Sequence, residues 1–577
     1  MIIQAIVSLL IFFILLGILV FILGEYIGWI FRKEMDIKNH TPRFLKFFEK
    51  YIEKYIFIPV ETVIYKIIGI DPESRMDWKQ YVLSAIIINS LIFMVIYLIF
   101  FFQGYLPLNS IEASGMSWHQ AFHSAATFVT NTNQQHYAGE TDLSYLSQLC
   151  ILLPMFLSAA TGMALVVGFA KGITNKEDPN FNNFYTAVVK SMTRFFIPIT
   201  ILLAVFLISQ GSPQTFLGPM SVETVEGSIQ NIARGPVAGL EAIKMVGTNG
   251  GGFFAANAAH PYENPTIASN IVLNLFLLGT PMGVVYAYGI WIKKRNHGLV
   301  LLEAVFIIFL VLLAMGIVGE IGSNPALVEL GIDQSMGNME GKEMRFGPVL
   351  SALWGVSTTS TTSGSVNSMH DSWTPLGSLS LFFGLSMNSL FGGAGTGLLN
   401  LLTYVFISVF IGALMIGRAP NYLGKKIESE EIKLAALIIL LLPTLVLFPT
   451  ALAVNMDVGK EAITNPDYHG YSQVMYEFFS SAVNNGSGFE GLKDNTLFYN
   501  LFCGIIILLG RYLPIVAQMM IAGSLAKKKI KPETAGTLKV ENIPFLILFL
   551  ALLVIISGLV FIPALALGPF AELLTGW

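Results

Sequence analysis

Gly247-Thr248-Asn249-Gly250 is one of four short polar segments that lie between long apolar runs of this chain. The other three are Thr130-Asn131-Thr132-Asn133, Thr362-Ser363-Gly364-Ser365 and Asn484-Asn485-Gly486-Ser487. Asn133, Gly250, Gly364 and Gly486 are separated by steps of 117, 114 and 122 residues. This nearly even spacing predicts a fourfold repeat whose loops meet around one axis. Because rings of backbone carbonyl groups can replace the water shell of a cation, the segments indicate an ion-selective membrane protein.

The composition favours a membrane protein over a soluble one. The chain has 577 residues, of which 54% are hydrophobic and only 12% are charged, about half the charged fraction of a typical soluble protein. Both cysteines, Cys150 and Cys503, lie inside apolar runs, so the sequence does not indicate a disulfide framework. The N-terminal apolar run lacks the basic region of a signal peptide and is too long for one, so we expect an uncleaved first span.

Ten apolar runs are long enough to cross a bilayer, which predicts an all-α, polytopic fold. They lie near 3–30, 80–102, 145–170, 195–210, 268–292, 299–320, 376–417, 433–454, 498–526 and 541–565. Each polar segment follows an even-numbered span, so the repeated unit is a span, a pore helix, a loop and a span. The predicted divisions are 1–79 (an extra span and a cytoplasmic amphipathic loop), repeats at 80–170, 195–292, 299–417 and 433–526, and 527–577 (a cytoplasmic loop and an extra span).

A short helical stretch precedes each polar segment and is too short to span a bilayer. The four stretches are Trp118–Val129, Val237–Val246, Val349–Ser360 and Ser472–Val483. We expect them to be re-entrant, with the partial negative charge of each C-terminus directed at the axis. Glycines would supply dihedral angles that a Cβ forbids, namely Gly250, Gly251, Gly252, Gly364, Gly486 and Gly488. In the first loop Asn131 and Asn133 would take this role, since Asn tolerates the left-handed region.

The distribution of basic residues predicts the orientation. The loops 31–79, 171–194, 293–298, 418–433 and 527–540 hold 26 Lys and Arg residues, against six in the opposite loops. The positive-inside rule therefore places these loops in the cytoplasm. Both termini and all four polar segments would then face outside.

Longer motifs around these segments resemble a known family. They are Thr130-Asn-Thr-Asn-Gln-Gln-His-Tyr137, Gly247-Thr-Asn-Gly-Gly-Gly-Phe253, Ser365-Val-Asn-Ser-Met-His-Asp371, Phe391-Gly-Gly-Ala-Gly395, Met415-Ile-Gly-Arg418, Tyr422-Leu-Gly-Lys-Lys426 and Asn484-Asn-Gly-Ser487. In order and spacing they resemble the potassium-binding A subunit (KdpA) of the bacterial Kdp potassium-transporting ATPase. The resemblance covers nearly the whole chain. It implies a channel-like fold related to Trk-type transporters. It also implies that potassium is the transported ion and that the chain carries no organic or nucleotide cofactor.

The resemblance also implies site residues and partners. The filter residues would be Asn131, Thr132, Asn133, Thr248, Asn249, Gly250, Ser363, Gly364, Asn485 and Gly486. The subunit would be non-catalytic and would lie among the lipids of the bacterial inner (plasma) membrane. Its partners would be a P-type ATPase subunit (KdpB), an accessory KdpC and a small KdpF, and it would not bind nucleic acid. Ser363 stands where relatives often have Cys, and Asn388 stands where relatives often have Glu, beside the exit route.

Two features inside the spans indicate a gate or exit path. Glycines interrupt the middle of the run 376–417, at Gly392, Gly393, Gly395 and Gly397, so a broken helix below the third loop is predicted. Arg511 lies in an otherwise apolar span, where a charge is expensive and usually faces a cavity. We interpret it as a positive barrier against leakage. The alternatives are a glycine-rich packing face and an arginine that extends toward the inner interface.

Two other functions remain open from the sequence. One is a stand-alone, gradient-driven Trk-type K⁺/Na⁺ transporter, which needs no partner. The other is an intramembrane hydrolase that uses His119, His123 or His370, although no nucleophile or metal set accompanies them in the sequence. The chain also contains no phosphate-binding loop of the Gly-x4-Gly-Lys-Ser/Thr type, so we do not expect it to hydrolyse ATP alone.

Overall fold

The computed structural model describes residues 2–37, 40–532 and 537–575, and these residues are mainly helical. Within them, ten helices have the length and apolar composition needed to cross a membrane, which confirms the predicted number. In chain order these spans are Val7–Ile30, Trp78–Tyr105, Tyr145–Thr174, Phe184–Gln210, Ile267–Trp291, Arg295–Ile321, Thr396–Met415, Ser429–Asn455, Leu497–Ala526 and Ile543–Leu565. We refer to them below as the first to tenth spans.

Four short helices end at the four polar segments. They are Trp118–Val129, Val237–Gly247, Gly347–Ser360 and Asp467–Ala482, and we number them in this order. The first short helix has the predicted bounds because its ends are marked in the sequence. Ser117 caps its N-terminus by accepting a hydrogen bond from the backbone N–H of Gln120, as a good N-cap residue does. The fourth short helix begins five residues earlier than predicted, at Asp467.

The fourth span is longer than predicted. The expected run 195–210 is the second half of a continuous helix, Phe184–Gln210, that includes a π-helical turn at Ser191–Phe196. Lys190 and Arg194 lower the hydropathy of the first half, and this hides the helix from a sequence reading. In the structure both cations are paired, Lys190 with Glu34 and Arg194 with two buried glutamates.

The seventh predicted span, 376–417, is two helices rather than one. Pro375–Ser386 and Thr396–Met415 are separated by a non-helical stretch at 387–395. The break falls where the glycines predicted it. Gly392 and Gly395 have φ values of +56° and +95°, which a right-handed helix does not allow.

The loop 31–79 contains an amphipathic helix. A π-helical part, Phe48–Phe57, continues directly into an α-helical part, Ile58–Ile68. Glu53 and Glu61 lie on its buried side, and both bind Arg194 of the fourth span. Its outer side exposes Tyr51, Tyr55, Ile56, Val60, Val63 and Ile67. This exposed apolar face has the character of a helix that lies at a membrane surface.

The third span lies at the centre of the bundle. In the most apolar 18-residue stretch of this span 78% of the residues are buried, whereas in the corresponding stretch of the first span 28% are buried. Glycines on this span allow neighbours to approach closely, as small residues commonly do in membranes. A Cβ on Gly162 would collide with the backbone at Ala394, and a Cβ on Gly168 would lie 2.8 Å from the Tyr81 ring.

Small elements outside the spans were not predicted. A hairpin pairs Met220–Glu223 with Ile229–Ile232, and a second pairs Asn421–Tyr422 with Lys425–Lys426. A short C-terminal helix, Pro569–Thr575, contacts the fourth short helix, where Glu572 Oε1 lies 2.7 Å from His469 Nδ1.

Candidate ion-binding site

The four loops share one local backbone geometry. In each loop, one backbone N–H donates to the carbonyl oxygen five residues earlier, which ends the short helix. The pairs are Thr132–Thr127, Asn249–Lys244, Ser363–Thr358 and Asn485–Ser480, at 3.1, 2.9, 3.0 and 2.8 Å. Three acceptor residues also accept a loop N–H at their hydroxyl oxygen: Thr127 from Gln134 at 2.7 Å, Thr358 from Gly364 at 2.9 Å and Ser480 from Gly486 at 2.9 Å. Buried backbone N–H and C=O groups are therefore paired where each loop turns.

Left-handed residues recur in every loop. They are Asn131, Asn133, Thr248, Gly251, Thr362, Gly364, Asn484 and Gly486, with φ between +46° and +107°. The prediction for the two asparagines is confirmed, since their φ values are +72° and +54°. The prediction for Gly250, Gly252 and Gly488 is wrong in this respect, because their φ is not positive.

Hydrogen bonds join the four loops in a closed ring. Asn249 Nδ2 donates to Asn131 Oδ1 at 2.8 Å and thus joins loops one and two. Ser363 Oγ donates to the Asn249 carbonyl oxygen at 2.8 Å and joins loops two and three. Asn485 Nδ2 donates to the Thr358 carbonyl oxygen at 2.9 Å and joins loop four to the end of the third short helix. Asn484 Nδ2 donates to Thr132 Oγ1 at 3.1 Å and joins loops four and one.

Carbonyl oxygens of three loops surround the position in front of Gly250. A Cβ at Gly250 would collide with the Thr132 carbonyl oxygen, and it would lie 2.8 Å from that of Ser363 and 3.2 Å from that of Asn485. Gly250 is thus needed for the space it leaves rather than for its dihedral angles. The structure brings together the ten residues predicted for the filter, on four loops that contact one another. Uncharged oxygen atoms of this kind suit a hard cation such as a monovalent alkali ion.

A buried charge cluster supports the second loop from behind. Lys244 Nζ lies 2.5 Å from Glu241 Oε2, 2.7 Å from Glu263 Oε2 and 2.7 Å from Asn257 Oδ1. The three charged side chains have no exposed surface. Burial raises the pKa of Glu263, but the Lys244 ammonium outweighs this and lowers the pKa below its ordinary value. Burial raises the pKa of Glu241 well above its ordinary value and favours its neutral form, so the Lys244 ammonium balances the Glu263 carboxylate and the second loop is fixed without an unpaired buried ion.

The predicted gate and exit residues lie next to the loops. Ala394 N–H donates to Thr248 Oγ1 at 2.8 Å, so the helix break contacts the second loop directly. Arg511 Nη1 donates to Thr396 Oγ1 at 2.9 Å. A small cavity of about 20 Å³ is lined by residues that include Thr362, Asn388, Gly393, Thr396, Asn484 and Arg511. The cavity therefore connects the third and fourth loops with the break and with the charged span.

Comparison with known proteins identifies the family. The profile of the family described as Potassium-transporting ATPase A subunit matches residues 10–574. The chain belongs to this family. Similar relatives are potassium-transporting ATPase potassium-binding subunits: that of Halobacterium salinarum is 48% identical over 571 residues, covering 98% of both chains. That of Caldanaerobacter subterraneus subsp. tengcongensis is 45% identical, covering 90% of this chain and 93% of the relative.

Solved structures also match this A-subunit family member. The potassium transporter TrkH from Vibrio parahaemolyticus matches with a TM-score of 0.47 at 14% sequence identity. The match covers 74% of this chain and 84% of that chain.

The histidines considered for hydrolysis do not form a catalytic set in this A-subunit family member. His119 Nδ1 lies 3.0 Å from Asn500 Nδ2, and His123 is stacked on His136 with ring centres 3.8 Å apart. His370 Nδ1 lies 3.1 Å from the Tyr476 hydroxyl. These contacts orient short helices and loops, so the hydrolase alternative has no support in the geometry.

Sequence reasoning missed a buried polar cluster beside the first loop. His136 Nε2 lies 3.0 Å from Glu477 Oε1 and 3.8 Å from Asp494 Oδ2. Burial lowers the pKa of His136, but the two carboxylates outweigh this effect and raise it to about 9. One signal was available, because Glu477 is an acid in an otherwise uncharged stretch of the fourth short helix. The partners were not predictable, since His136 and Glu477 are 341 residues apart.

Proposed function

We propose that this chain is the potassium-binding, ion-selective subunit of an ATP-driven potassium uptake pump. The ring of four loops would capture external K⁺, remove its water and pass it to a partner ATPase subunit. The observation that carries the proposal is the convergence of the Thr132, Ser363 and Asn485 carbonyl oxygens at Gly250. Family membership and the names of the relatives support it.

The proposed ligands are backbone carbonyl oxygens, with side chains that hold them in place. Thr132, Ser363 and Asn485 would supply oxygens to the ion, and Asn131 and Asn249 would fix two loops through their amides. Because Ser363 would act through its carbonyl, a Cys at this position in relatives is compatible with the same site. The Ser363 hydroxyl instead binds the second loop.

The proposed exit path runs along the helix break. Gly392 and Gly395 would allow the turns of the break, and Gly393 would leave space beside Thr248 of the second loop. Arg511 would place a positive charge below the ring. Asn388 would line the route without the negative charge that relatives often have there. The contacts of Thr396 with Arg511 and of Ala394 with Thr248 support this arrangement.

Energy for transport would come from another subunit. We propose a complex with a P-type ATPase subunit (KdpB), KdpC and KdpF in the plasma (inner) membrane, with this chain as the non-catalytic part. Both termini would face outside, as the distribution of basic residues predicts. The four divisions 80–170, 195–292, 299–417 and 433–526 would be the repeats that supply one loop each.

The proposal is tested by purification of the complex from its native membrane without crosslinking. We expect co-purification of an ATPase subunit and ATP hydrolysis that K⁺ stimulates far more than Na⁺. The Lys244→Met variant should reduce this stimulation by distorting the second loop, and the Lys66→Met variant on the amphipathic helix is the control. A chain that purifies alone and conducts K⁺ in liposomes would instead support the stand-alone transporter.

A further inference from the structure

A mixed set of donor atoms lies behind the first loop. His136 Nε2, Glu477 Oε1 and Cys503 Sγ all lie within 4.8 Å of one another, and all three side chains are buried. The Glu477 oxygen is 3.0 Å from the imidazole nitrogen and 3.6 Å from the sulfur. Asp494 Oδ2 lies 3.8 Å from the same imidazole nitrogen, and 28% of its side chain is exposed. A path from the outside solution to the buried donors therefore passes Asp494.

Neighbouring hydrogen bonds fix the proton on the other nitrogen of His136. Asn500 Nδ2 donates to Asn495 Oδ1 at 2.9 Å, so Asn500 Oδ1 is the atom that lies 2.8 Å from His136 Nδ1. Nδ1 must then carry the proton and donate it to Asn500. Metal-binding histidines are usually oriented in this way, by a second hydrogen bond from the nitrogen that does not bind the metal.

The opposite nitrogen consequently needs a positive charge. A neutral His136 with its proton on Nδ1 would direct the lone pair of Nε2 at the Glu477 oxygen 3.0 Å away. Gln134 Nε2 already donates to the same oxygen at 2.6 Å, and this identifies it as an acceptor. The lone pair of His136 Nε2 and that of Glu477 Oε1 would face each other and repel. Either a proton or a metal cation must therefore lie between these two atoms.

We propose that His136, Glu477 and Cys503 form a three-ligand binding site for a zinc-class divalent cation, with Asp494 beside it on the solvent side. Zinc accepts imidazole nitrogen, carboxylate oxygen and thiolate sulfur at about 2.0–2.3 Å, which gives ligand-to-ligand distances of roughly 3.3–3.8 Å in a tetrahedron. The distances from Glu477 Oε1 to His136 Nε2, 3.0 Å, and to Cys503 Sγ, 3.6 Å, are close to this range. Potassium does not favour such a set, because it prefers neutral oxygen ligands.

A bound cation would join three separate elements. His136 follows the first loop, Glu477 lies in the fourth short helix and Cys503 lies in the ninth span. The ion would thus crosslink the first loop to the fourth on the side away from the ring. This site is independent of the proposed potassium site, and its test does not require transport activity.

The test is zinc binding to the full chain, purified without a polyhistidine tag and treated with a chelator before dialysis. With ZnCl₂ as the probe, we expect one zinc ion per chain by elemental analysis and a higher midpoint temperature of unfolding. With CoCl₂ as the probe, a thiolate-to-cobalt charge-transfer band should appear, which would report on the Cys503 sulfur directly.

Matched variants separate this site from adventitious binding. Cys503→Ser and His136→Asn should remove the zinc and the cobalt band, whereas Cys150→Ser, which changes the other free cysteine, should retain both. Co-elution with wild-type protein in size exclusion would show that the variants fold. If His136→Asn fails to fold, Cys503→Ser against the Cys150→Ser control decides the question. Absence of zinc from the wild-type chain, or equal zinc in the wild-type and Cys503→Ser chains, would overturn the proposal in favour of a protonated His136.

Discussion

At the scale of single residues, Gly250 is a position where a methyl group would enter the space between the loops. An alanine Cβ would collide with the Thr132 carbonyl oxygen and would crowd those of Ser363 and Asn485. We expect Gly250→Ala to raise the K⁺ concentration for half-maximal ATPase stimulation at least about tenfold, or about 1.4 kcal/mol, and to weaken discrimination against rubidium and ammonium. Gly17→Ala is the control, since nothing lies within 4 Å of a Cβ there. An unchanged Gly250→Ala complex would place the ion elsewhere.

Arg511 is the second residue whose charge can be tested alone. Its guanidinium binds Thr396 beside the small cavity, and no carboxylate pairs with it among the salt bridges of the described residues. We expect Arg511→Gln to leave the midpoint temperature of unfolding unchanged but to lower the K⁺ transported per ATP hydrolysed, whereas Arg511→Lys keeps most of the coupling. Transport and ATPase assays on reconstituted complexes measure this ratio. An equal ratio of K⁺ transported to ATP hydrolysed in the wild type, Arg511→Gln and Arg511→Lys would show that Arg511 is not a barrier.

At the scale of elements, the helix break offers neighbouring glycines with different roles. Gly392 has φ +56°, and a Cβ there would collide with Gly397 Cα. Gly393 has only ordinary contacts, at 3.5 Å from Thr248 Oγ1 and Thr396 Oγ1. We expect Gly392→Ala to lower the midpoint temperature, since the left-handed conformation alone costs about 1–2 kcal/mol.

Gly393→Ala provides the contrast to this prediction. It should fold as well as the wild type but reduce transport, because its methyl group would narrow the space between the second loop and Thr396. Differential scanning fluorimetry and K⁺ uptake distinguish the two effects. If Gly393→Ala transports normally, the proposed path does not pass this position.

The amphipathic helix should depend on its buried ion pairs. Glu61 contacts Arg194 at 2.6 Å, and 4% of each side chain is exposed. Removing one partner of a buried pair costs about 3–5 kcal/mol, so Glu61→Ala should lower the midpoint temperature strongly and expose residues 48–68 to protease. Glu49→Ala is the matched control, because Glu49 is 39% exposed where it meets Arg32 and exposed pairs contribute about 0–1 kcal/mol. Equal effects of the two variants would contradict a structural role for Glu61.

The sequence predicted the elements best where local signals mark their ends. Trp118–Val129 was predicted with its observed bounds, because a capping serine precedes it and a polar loop follows it. The first half of the fourth span was missed because Lys190 and Arg194 look like loop residues until their distant partners are known. The four polar segments were found from spacing and composition, but the hydrogen bonds that join them depend on contacts between residues more than 100 positions apart.

The role of Gly250 shows a similar limit. Its place in a glycine-rich segment was visible in the sequence, and the expectation was a left-handed conformation. Only the positions of Thr132, Ser363 and Asn485 on three other loops reveal that the missing Cβ matters. The cluster around His136 was hidden for the same reason, since its partners come from two later elements.

At the scale of the whole molecule, one histidine links three distant parts of the chain. His469 lies 3.0 Å from Asp371 Oδ1 and 2.7 Å from Glu572 Oε1, so it joins the third loop region, the fourth short helix and the C-terminal helix. Burial lowers its pKa, but the two carboxylates outweigh this and raise the pKa to about 9. Glu490 is a further titratable group beside Asp371, and burial and Asp371 raise its pKa to about 8.

These shifts predict that stability falls as the pH rises. The folded pKa of His469 lies above the unfolded value of about 6.5, so its contribution is complete below about pH 6.5 and is lost as the pH rises through about 9. The raised pKa of Glu490 acts in the same direction, with its contribution lost as the pH rises through about 8. His136, with a pKa also raised to about 9, contributes to the same fall. We therefore expect His469→Gln to make the fall in midpoint temperature over this window shallower, whereas His119→Gln, whose histidine has a lowered pKa, should not. If the midpoint temperature of unfolding of the wild type stays constant across this pH window, the raised pKa assigned to His469 is contradicted.

A single polypeptide supplies all four sides of the loop ring, and this affects how the protein can change over evolutionary time. In a pore built from four identical subunits, each mutation alters four places at once. Here a substitution at a single position, such as Ser363, alters one quadrant and leaves the other three as they were. Natural selection can therefore adjust each quadrant separately and in small increments, which explains how four loops can differ in sequence and still perform one task.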